Sequence, residues 1–379
     1  MKTSLKIYTF AFALCALGAV LPANAVLTQQ PLYASGEGGY SSYRIPSLLV
    51  TKTGTVLAFC EGRKEGMSDT GNIDLLVKRS EDHGDTWSAQ KVVWDDKDNT
   101  CGNPCPVLDR DTGILWLLMT WNRGDDPEKN IIAQTSKDTR RVFVSSSADD
   151  GRTWGSPQEI TVAAKQESWS WYATGPGAGI QLTQGVHAGR LVIPCDHIEK
   201  DTEHYYSHII YSDDHGATWQ LGGSTPRGKV NECEVVELRG GRLLLNMRNY
   251  DRSRRYRQVA FSDDGGITWT GQRFDKTLIE PICQASIRSM GDRILFSNPA
   301  DTKKRINMCV RQSFDEGSTW SVLHILHPGP SAYSSLALLA DGRAACFYER
   351  GNKQPYETIT LARFTLPVVT AVMPGCDTP

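Results

Sequence analysis

The chain has 379 residues, of which 40% are hydrophobic and 22% are charged, and its formal net charge is −2. A charge so near zero provides no electrostatic field suited to a polyanion or a membrane surface, which argues against a nucleic-acid-binding protein. Long amphipathic helical patterns are absent from the sequence. Short apolar runs after Gly or Asp-Gly turns, at residues 243–245, 293–296 and 344–348, predict β-strands.

The first 25 residues predict a secretory signal peptide. Lys2 and Lys6 provide a basic start, residues 7–21 are mostly apolar, and Ala23-Asn24-Ala25 offers a small-x-small cleavage site. The apolar stretch is interrupted and short for a membrane span, so we expect cleavage, with an uncleaved anchor as the alternative. The mature protein is then exported, to the periplasm, the cell surface or the medium of a bacterium, with no membrane insertion.

A motif of the form Ser-x-Asp-x-Gly-x-Thr-Trp occurs five times along the chain. Ser and Asp side chains can accept backbone N–H bonds within a tight turn, and Gly allows the positive φ that such turns need, so each copy predicts a hairpin. The aspartates are separated by 67, 65, 50 and 51 residues, close to the length of one four-stranded propeller blade. The copies begin at Ser80, Ser147, Ser212, Ser262 and Ser313.

The repeated motif resembles the Asp box of the sialidase superfamily, and the resemblance covers nearly all of the chain beyond the first thirty residues. It implies an all-β fold, a six-bladed β-propeller with five Asp-box hairpins. Six blades of about 60 residues would occupy residues 26–379 as a single domain. Because such boxes also occur in non-catalytic proteins, the chemistry has to be argued from other residues.

Nine of the ten cysteines follow the predicted signal peptide, and most lie in apolar strand-like runs where a buried thiol acts as a small hydrophobe. Only Cys101 and Cys105 are close enough to suggest a local disulfide, and this bond is left open. No second Cys or His pair follows them to complete a metal site. His204 and His208 have the spacing of a helical zinc site, but the segment around them alternates like a strand. We therefore expect no metal and no organic cofactor.

Three arginines lie in segments that match the carboxylate-binding positions of sialidases. They are Arg44 in Tyr-Arg-Ile-Pro, Arg248 in Asn-Met-Arg-Asn and Arg305 in Lys-Arg-Ile-Asn, with Arg311 as the alternative to the third. The planar guanidinium donates two parallel charge-assisted hydrogen bonds to a carboxylate and does not deprotonate. By the same resemblance, Glu349 is the glutamate that steadies the first arginine.

A general acid is required because a sugar leaves as an alkoxide unless its oxygen is protonated. Asp69 follows Arg63 by six residues in a Gly-containing loop, a spacing typical of bacterial sialidases. The resemblance makes Asp69 the acid/base and places Arg63 near the substrate. A turn-capping role for Asp69 is the structural alternative. Two further segments, 102–107 and 171–177, resemble loops at the mouth of the sialidase pocket. Met67 and Trp121 are candidates for contact with an N-acyl group, with a role in the core as the alternative.

A nucleophile that is neutral suits a substrate whose anomeric carbon carries its own carboxylate, because a second anion would be repelled. Sialidases use tyrosine for this purpose. Tyr333 in Ser-Ala-Tyr-Ser-Ser matches the family's nucleophile segment. A phenol is weakly nucleophilic at neutral pH and needs a base to take its proton. Glu232 in Asn-Glu-Cys-Glu is that base by resemblance, and Glu234, two residues on, is the alternative.

The sequence thus predicts a retaining exo-α-sialidase that hydrolyses terminal α-linked sialic acids on glycoproteins, glycolipids and oligosaccharides. The alternatives are an enzyme that transfers the sialyl group to another sugar or to the substrate's own hydroxyl, and a non-catalytic glycan-binding propeller. A monomer is expected. The arginines at 252, 254, 255 and 257 are interpreted as part of a hairpin loop near the site, with no role in binding nucleic acid.

Overall fold

The apolar runs of the sequence form strands that are buried on both faces. In the computed structural model, which describes residues 27–202 and 204–367, the runs at 243–245, 293–296 and 344–348 lie within three β-strands, as predicted. Leu243 and Leu245 pack with Val192 and Ile209 of one neighbouring sheet, whereas Leu244, on the opposite face, packs with Phe296 of another. Continuous apolar runs are the pattern expected of strands covered on both sides. The predicted signal peptide, residues 1–25, lies outside the described residues.

The described strands form four sheets, whose pairings are antiparallel apart from one parallel bridge between Ile73 and Thr100. The eight-stranded sheet contains Ser42–Val50 (β2), Val56–Arg63 (β3), Ile73–Ser80 (β4), Lys91–Trp94 (β5), Thr100–Leu108 (β6), Leu115–Asn122 (β7), Arg141–Ser147 (β8) and Gln158–Glu159 (β9). The five-stranded sheet contains Trp169–Thr174 (β10), Ile180–Gln181 (β11), Leu191–Glu199 (β12), Tyr205–Ser212 (β13) and Gln220–Ser224 (β14). The predicted all-β class is confirmed.

The remaining two sheets come from the second half of the chain and its first strand. The four-stranded sheet contains Val230–Glu237 (β15), Leu243–Asn249 (β16), Tyr256–Ser262 (β17) and Thr270–Ile279 (β18). The seven-stranded sheet contains Thr28–Ala34 (β1), Ser286–Met290 (β19), Arg293–Pro299 (β20), Ile306–Ser313 (β21), Ser321–Leu338 (β22), Ala344–Arg350 (β23) and Thr358–Phe364 (β24). Strand β1 pairs with β24, so the first described strand lies beside the last.

Helical structure in the described residues is limited to two short α-helices, Glu128–Ile132 (α1) and Thr161–Ala164 (α2), and two single 3₁₀ turns, Gly185–His187 and Arg239–Gly241. Neither helix has the length or apolar character to cross a bilayer. The eight cysteines in this part of the chain are buried free thiols, including Cys101 and Cys105.

The five Asp boxes have the same internal hydrogen bonds. In each, the Ser hydroxyl donates to Asp Oδ1 over 2.7–2.8 Å and accepts the Gly N–H. The Thr hydroxyl and N–H donate to the same carboxylate. The motif glycine has a positive φ in all five copies, as expected. The indole contacts differ, because Trp87 donates to Gly84 of its own box whereas Trp269 donates to Gly223 of the preceding sheet.

Candidate active site

A cavity of about 170 Å³ lies where the four sheets meet, and each sheet contributes side chains to it. Seven of the eight predicted site residues line this cavity: Arg44, Arg63, Asp69, Glu232, Arg248, Arg305 and Tyr333. A larger cavity of about 570 Å³ lies four residues further along the same strands, at Leu48, Val107, Val236 and Ala337. The smaller one is the candidate site because it gathers several acids, several arginines and a phenol, whereas eleven of the twenty residues that line the larger one are apolar or glycine.

The Tyr333 phenol and the Glu232 carboxylate are in direct hydrogen-bond contact at this cavity. Tyr333 Oη donates to Glu232 Oε1 over 2.6 Å, and Arg248 Nη1 donates to Glu232 Oε2 over 2.5 Å and to Tyr333 Oη over 3.0 Å. Burial and the charge of Glu232 raise the pKa of Tyr333 well above its usual value, although Arg248 and Arg305 act in the opposite direction. The phenol is therefore protonated at neutral pH, with an acceptor for its proton already in contact.

Glu234, the alternative partner, lies elsewhere. Its carboxylate is fully buried and accepts hydrogen bonds from Ser286 Oγ and the Ile287 N–H, each over 2.8 Å. It is not among the residues that line the cavity. The structure thus brings Glu232, and not Glu234, to Tyr333.

Glu349 is the predicted residue that does not face the cavity, because it lies behind two residues that do. One of its oxygens accepts from Arg44 Nε over 2.8 Å and from the Ile45 N–H over 3.0 Å, and the other accepts from the Tyr333 N–H over 3.0 Å. Ile45 has φ 61°, a conformation that is rare and strained for a β-branched residue. One buried carboxylate therefore fixes both the first arginine and the backbone of Tyr333.

Arg305, the predicted third carboxylate-binding arginine, lines the cavity and lies just before β21. Its guanidinium stands 5.6 Å from the Tyr333 ring centre, and its Nη1 donates to Tyr356 Oη over 2.8 Å. Arg311, the alternative, donates to Asn298 Oδ1 and does not line the cavity. The geometry favours Arg305.

Asp69 lies on the loop after β3, with its side chain 65% exposed at the cavity rim. Its Oδ1 is 2.7 Å from Arg63 Nη2 and 3.6 Å from Arg44 Nη1. Desolvation acts to raise the pKa of this carboxyl, but the two arginines outweigh it and hold the pKa below its usual value. Arg63 also pairs with Glu61 over 2.7 Å, which fixes its orientation.

Several residues that line the cavity carry no assignment from the sequence. Asn103 and Trp171 belong to the two segments expected at the pocket mouth, and Arg140 stacks its guanidinium 4.3 Å from the Trp171 ring. The sequence could have indicated Arg140 only through the tendency of a guanidinium to stack on an aromatic ring, and such arginine–aromatic pairs have no characteristic spacing along the chain. Met67 and Trp121 are not among the lining residues. Ala173 also belongs to the second of those segments, and the lining residues left without an assignment are Ile45, Glu61, Glu128, Asp196, Asn231 and Tyr250.

Among the described residues, the one cluster of side chains that could together bind a metal ion lies outside this cavity. Asp109, Asp111 and His215 could present ligand atoms close together, but Asp109 is already hydrogen-bonded to His215 and Thr112. His208 lies within strand β13, as the alternating pattern predicted, and contacts His197, whereas His204 immediately precedes the strand.

The BNR repeat-like domain model matches residues 54–346. The chain is 34% identical to the sialidase of Micromonospora viridifaciens over 94% of its own length and 59% of that protein, and 31% identical to the sialidase of Bacteroides fragilis over 83% and 61%. It therefore spans about three fifths of the length of these two relatives. The solved structure of the Hadza microbial sialidase Hz136 superimposes with a TM-score of 0.80 at 30% identity, covering 89% of this chain and 68% of that one.

Proposed function

The chain belongs to the sialidase family, marked by its BNR repeat-like domain, and on that basis we propose that it is a retaining exo-α-sialidase. Its substrates are terminal α-linked sialic acids on glycoproteins, glycolipids and oligosaccharides. The observation that carries the proposal is the 2.6 Å contact between Tyr333 and Glu232 beneath three arginines. A site that only bound glycans would need the arginines but not a phenol paired with its own base.

The arginines bind the sialic acid carboxylate. Arg44, Arg248 and Arg305 come from three different sheets or their adjoining loops, and their guanidinium groups converge on the cavity around Tyr333. Each provides planar donors that match a carboxylate. Bound in this way, the substrate presents its anomeric carbon to the Tyr333 oxygen.

Catalysis then proceeds in two displacements. Tyr333 Oη attacks the anomeric carbon while Glu232 takes the phenolic proton and Asp69 protonates the departing glycosidic oxygen. Asp69, now a carboxylate, takes a proton from a water molecule that attacks the same carbon, and Glu232 returns its proton to Tyr333 as the covalent bond breaks. Two inversions give net retention of configuration.

The ion pairs of Asp69 control its protonation during the proposed reaction. In the free protein Arg63 and Arg44 favour its charged form. A substrate carboxylate bound to Arg44 competes for that arginine and adds a negative charge nearby, and both changes raise the pKa of Asp69. Substrate binding thus promotes the protonated form that acts as the acid.

We also propose that the four sheets are the six blades of one propeller domain, residues 26–379, in an exported protein whose signal peptide has been removed. The strand pairing supports this number. The eight-stranded sheet divides into β2–β5 and β6–β9. The seven-stranded sheet divides into β19–β22 and a group of β22, β23, β24 and β1, with the long strand β22 shared by both groups. In this arrangement the innermost strands around the axis are β2, β6, β10, β15, β19 and β22, and both cavities lie along that axis.

The test is NMR of the purified protein acting on α2,3-linked sialyllactose. Free sialic acid that appears first as the α anomer is expected. A first product in the β anomer contradicts retention, and an anhydro or transferred sialyl product assigns the cavity to transfer. Substrate left unchanged across α2,3-, α2,6- and α2,8-linked sialosides contradicts the enzymatic assignment.

A further inference from the structure

Asp196 is a fully buried acid at the wall of the cavity, and one of its oxygens has no partner. It lies on β12, opposite Ala173 of β10, and both residues line the cavity. Its Oδ1 accepts a hydrogen bond from Asn231 Nδ2 over 2.9 Å. Its Oδ2 has no hydrogen-bond partner within the described chain.

Leaving a buried polar atom unpaired costs about 1–3 kcal/mol unless a ligand or water supplies the missing bond. Among the described residues, Asp196 Oδ2 is the one buried, unpartnered carboxylate oxygen that belongs to a cavity-lining residue. Burial and the nearby Glu232 and Glu128 raise the pKa of Asp196 well above its usual range. The surroundings thus favour the neutral form of this carboxyl. Because Oδ1 accepts from Asn231, Oδ2 is the oxygen left for a ligand, and it can accept a hydrogen bond from a donor group.

The position of Asp196 indicates which part of a bound substrate it meets. It belongs to the five-stranded sheet, the one sheet that supplies none of the arginines assigned to the carboxylate. A sialic acid bound by those arginines therefore directs its other polar groups, the acylamino substituent on carbon 5 and the glycerol chain on carbon 6, towards this wall. Trp171 and Glu128 line the same region.

We propose that Asp196 determines substrate specificity by hydrogen bonding, through its unpartnered Oδ2, to a hydroxyl group on the carbon 5 or carbon 6 substituent of sialic acid. This inference rests on the proposed function. A hydroxyl matches Oδ2 because it can donate to this unpartnered oxygen and can also accept a proton from a neutral carboxyl. The hydroxyl has two possible sources, the glycerol chain and a hydroxylated acyl group.

The experiment compares kcat/KM of the wild type and Asp196→Ala on three 4-methylumbelliferyl α-sialosides. The first has an N-acetyl group, the second an N-glycolyl group, and the third an N-acetyl group with a glycerol chain shortened by periodate. A loss of about 10-fold on the two full-length substrates, with the truncated one spared, assigns the glycerol chain. A loss restricted to the N-glycolyl substrate assigns the acyl hydroxyl.

Equal losses on all three substrates, or no loss on any, would overturn the proposal. Asp196→Asn keeps the acceptor for Asn231 and the side-chain volume, so it gives the same pattern at smaller amplitude if Asp196→Ala folds poorly. Asp74→Asn is the matched control, because Asp74 is also buried with one unpartnered oxygen but does not line the cavity. Wild-type protein that hydrolyses none of the three substrates contradicts the proposed function, which is a distinct outcome.

Discussion

The Asp-box hairpins and the cavity both depend on aspartate and glutamate carboxylates that accept several hydrogen bonds, but their partners lie at different distances along the chain. In the first box, Asp82 is bonded to Ser80 and Thr86, two and four residues away. In the cavity, Tyr333 is 101 residues from Glu232, and Arg44 is 305 residues from Glu349. The boxes are complete within one turn, whereas the cavity exists only once all four sheets have assembled.

The causes of the pKa shifts also differ between the boxes and the cavity. Hydrogen bonds from the neutral Thr153 and Ser147 lower the pKa of the box residue Asp149 to about 2. At Asp69, burial acts to raise the pKa, but the guanidinium groups of Arg63 and Arg44 outweigh it and lower the pKa. By contrast, burial and the charge of Glu232 raise the pKa of Tyr333. The carboxylates of the five boxes accept the same local hydrogen bonds, whereas each ionisable group of the cavity has its own partners and its own direction of pKa shift. Substitutions in the boxes should therefore change stability, and those in the cavity should change chemistry.

The largest expected effect is that of Tyr333→Phe. Removal of the oxygen proposed as the nucleophile should lower kcat on sialyllactose by more than about 10³-fold. Binding of a carboxylate-bearing sialic acid analogue should persist, because the arginines remain, and isothermal calorimetry measures it. Tyr43→Phe, which removes a buried hydroxyl outside the cavity, is the control. Activity of Tyr333→Phe within tenfold of the wild type would refute its role.

The next largest effect separates Arg305 from Arg311. Arg305→Lys replaces the planar donors by a point charge and should raise KM by about 10- to 100-fold, the range of a lost hydrogen bond to a charged group. Arg311→Lys should change KM by less than about 3-fold, because Arg311 donates to Asn298 outside the cavity. Steady-state kinetics on one substrate decides between them, and the reverse order would move the third binding arginine to position 311.

The range of each interaction explains how much the sequence could predict. The box bonds and the strands at 243–245, 293–296 and 344–348 depend on neighbours within a few residues, so pattern and turn chemistry were sufficient. The cavity residues were identified by resemblance, since no local rule joins Glu232 to Tyr333. Arg140 and Asp196 were missed because an isolated arginine or aspartate in a strand has no local signal, and their significance comes from burial within the assembled site.

The pH dependence of turnover tests the charge of Asp69. Because the arginines lower its pKa, the protonated fraction in the free protein increases as the pH falls, so kcat/KM on sialyllactose should rise by up to about tenfold per unit between pH 7 and pH 5. A 4-nitrophenyl sialoside, whose leaving group needs no proton, should show a weaker rise. Asp69→Asn should abolish the difference between the two substrates. Equal pH profiles in the wild type would remove Asp69 from the acid role.

The smallest effect is expected in a box and affects stability alone. Asp264 accepts bonds from Thr268 N–H, Thr268 Oγ1 and Ser262 Oγ. Burial acts to raise its pKa, but these bonds lower it overall. Asp264→Ala should therefore reduce the unfolding free energy by about 1–2 kcal/mol at pH 7 and leave kcat/KM unchanged.

A lowered folded-state pKa stabilises the protein above the unfolded-state value, about 3.9, and this contribution disappears as the pH falls through the folded-state value. Urea unfolding should thus show the difference between wild type and Asp264→Ala narrowing below about pH 4. A difference of equal size at pH 3 would mean that the lost stability comes from packing and not from the carboxylate bonds. A fall in kcat/KM would mean that the box hairpin is coupled to the cavity, in which case the two regions would not be energetically separate.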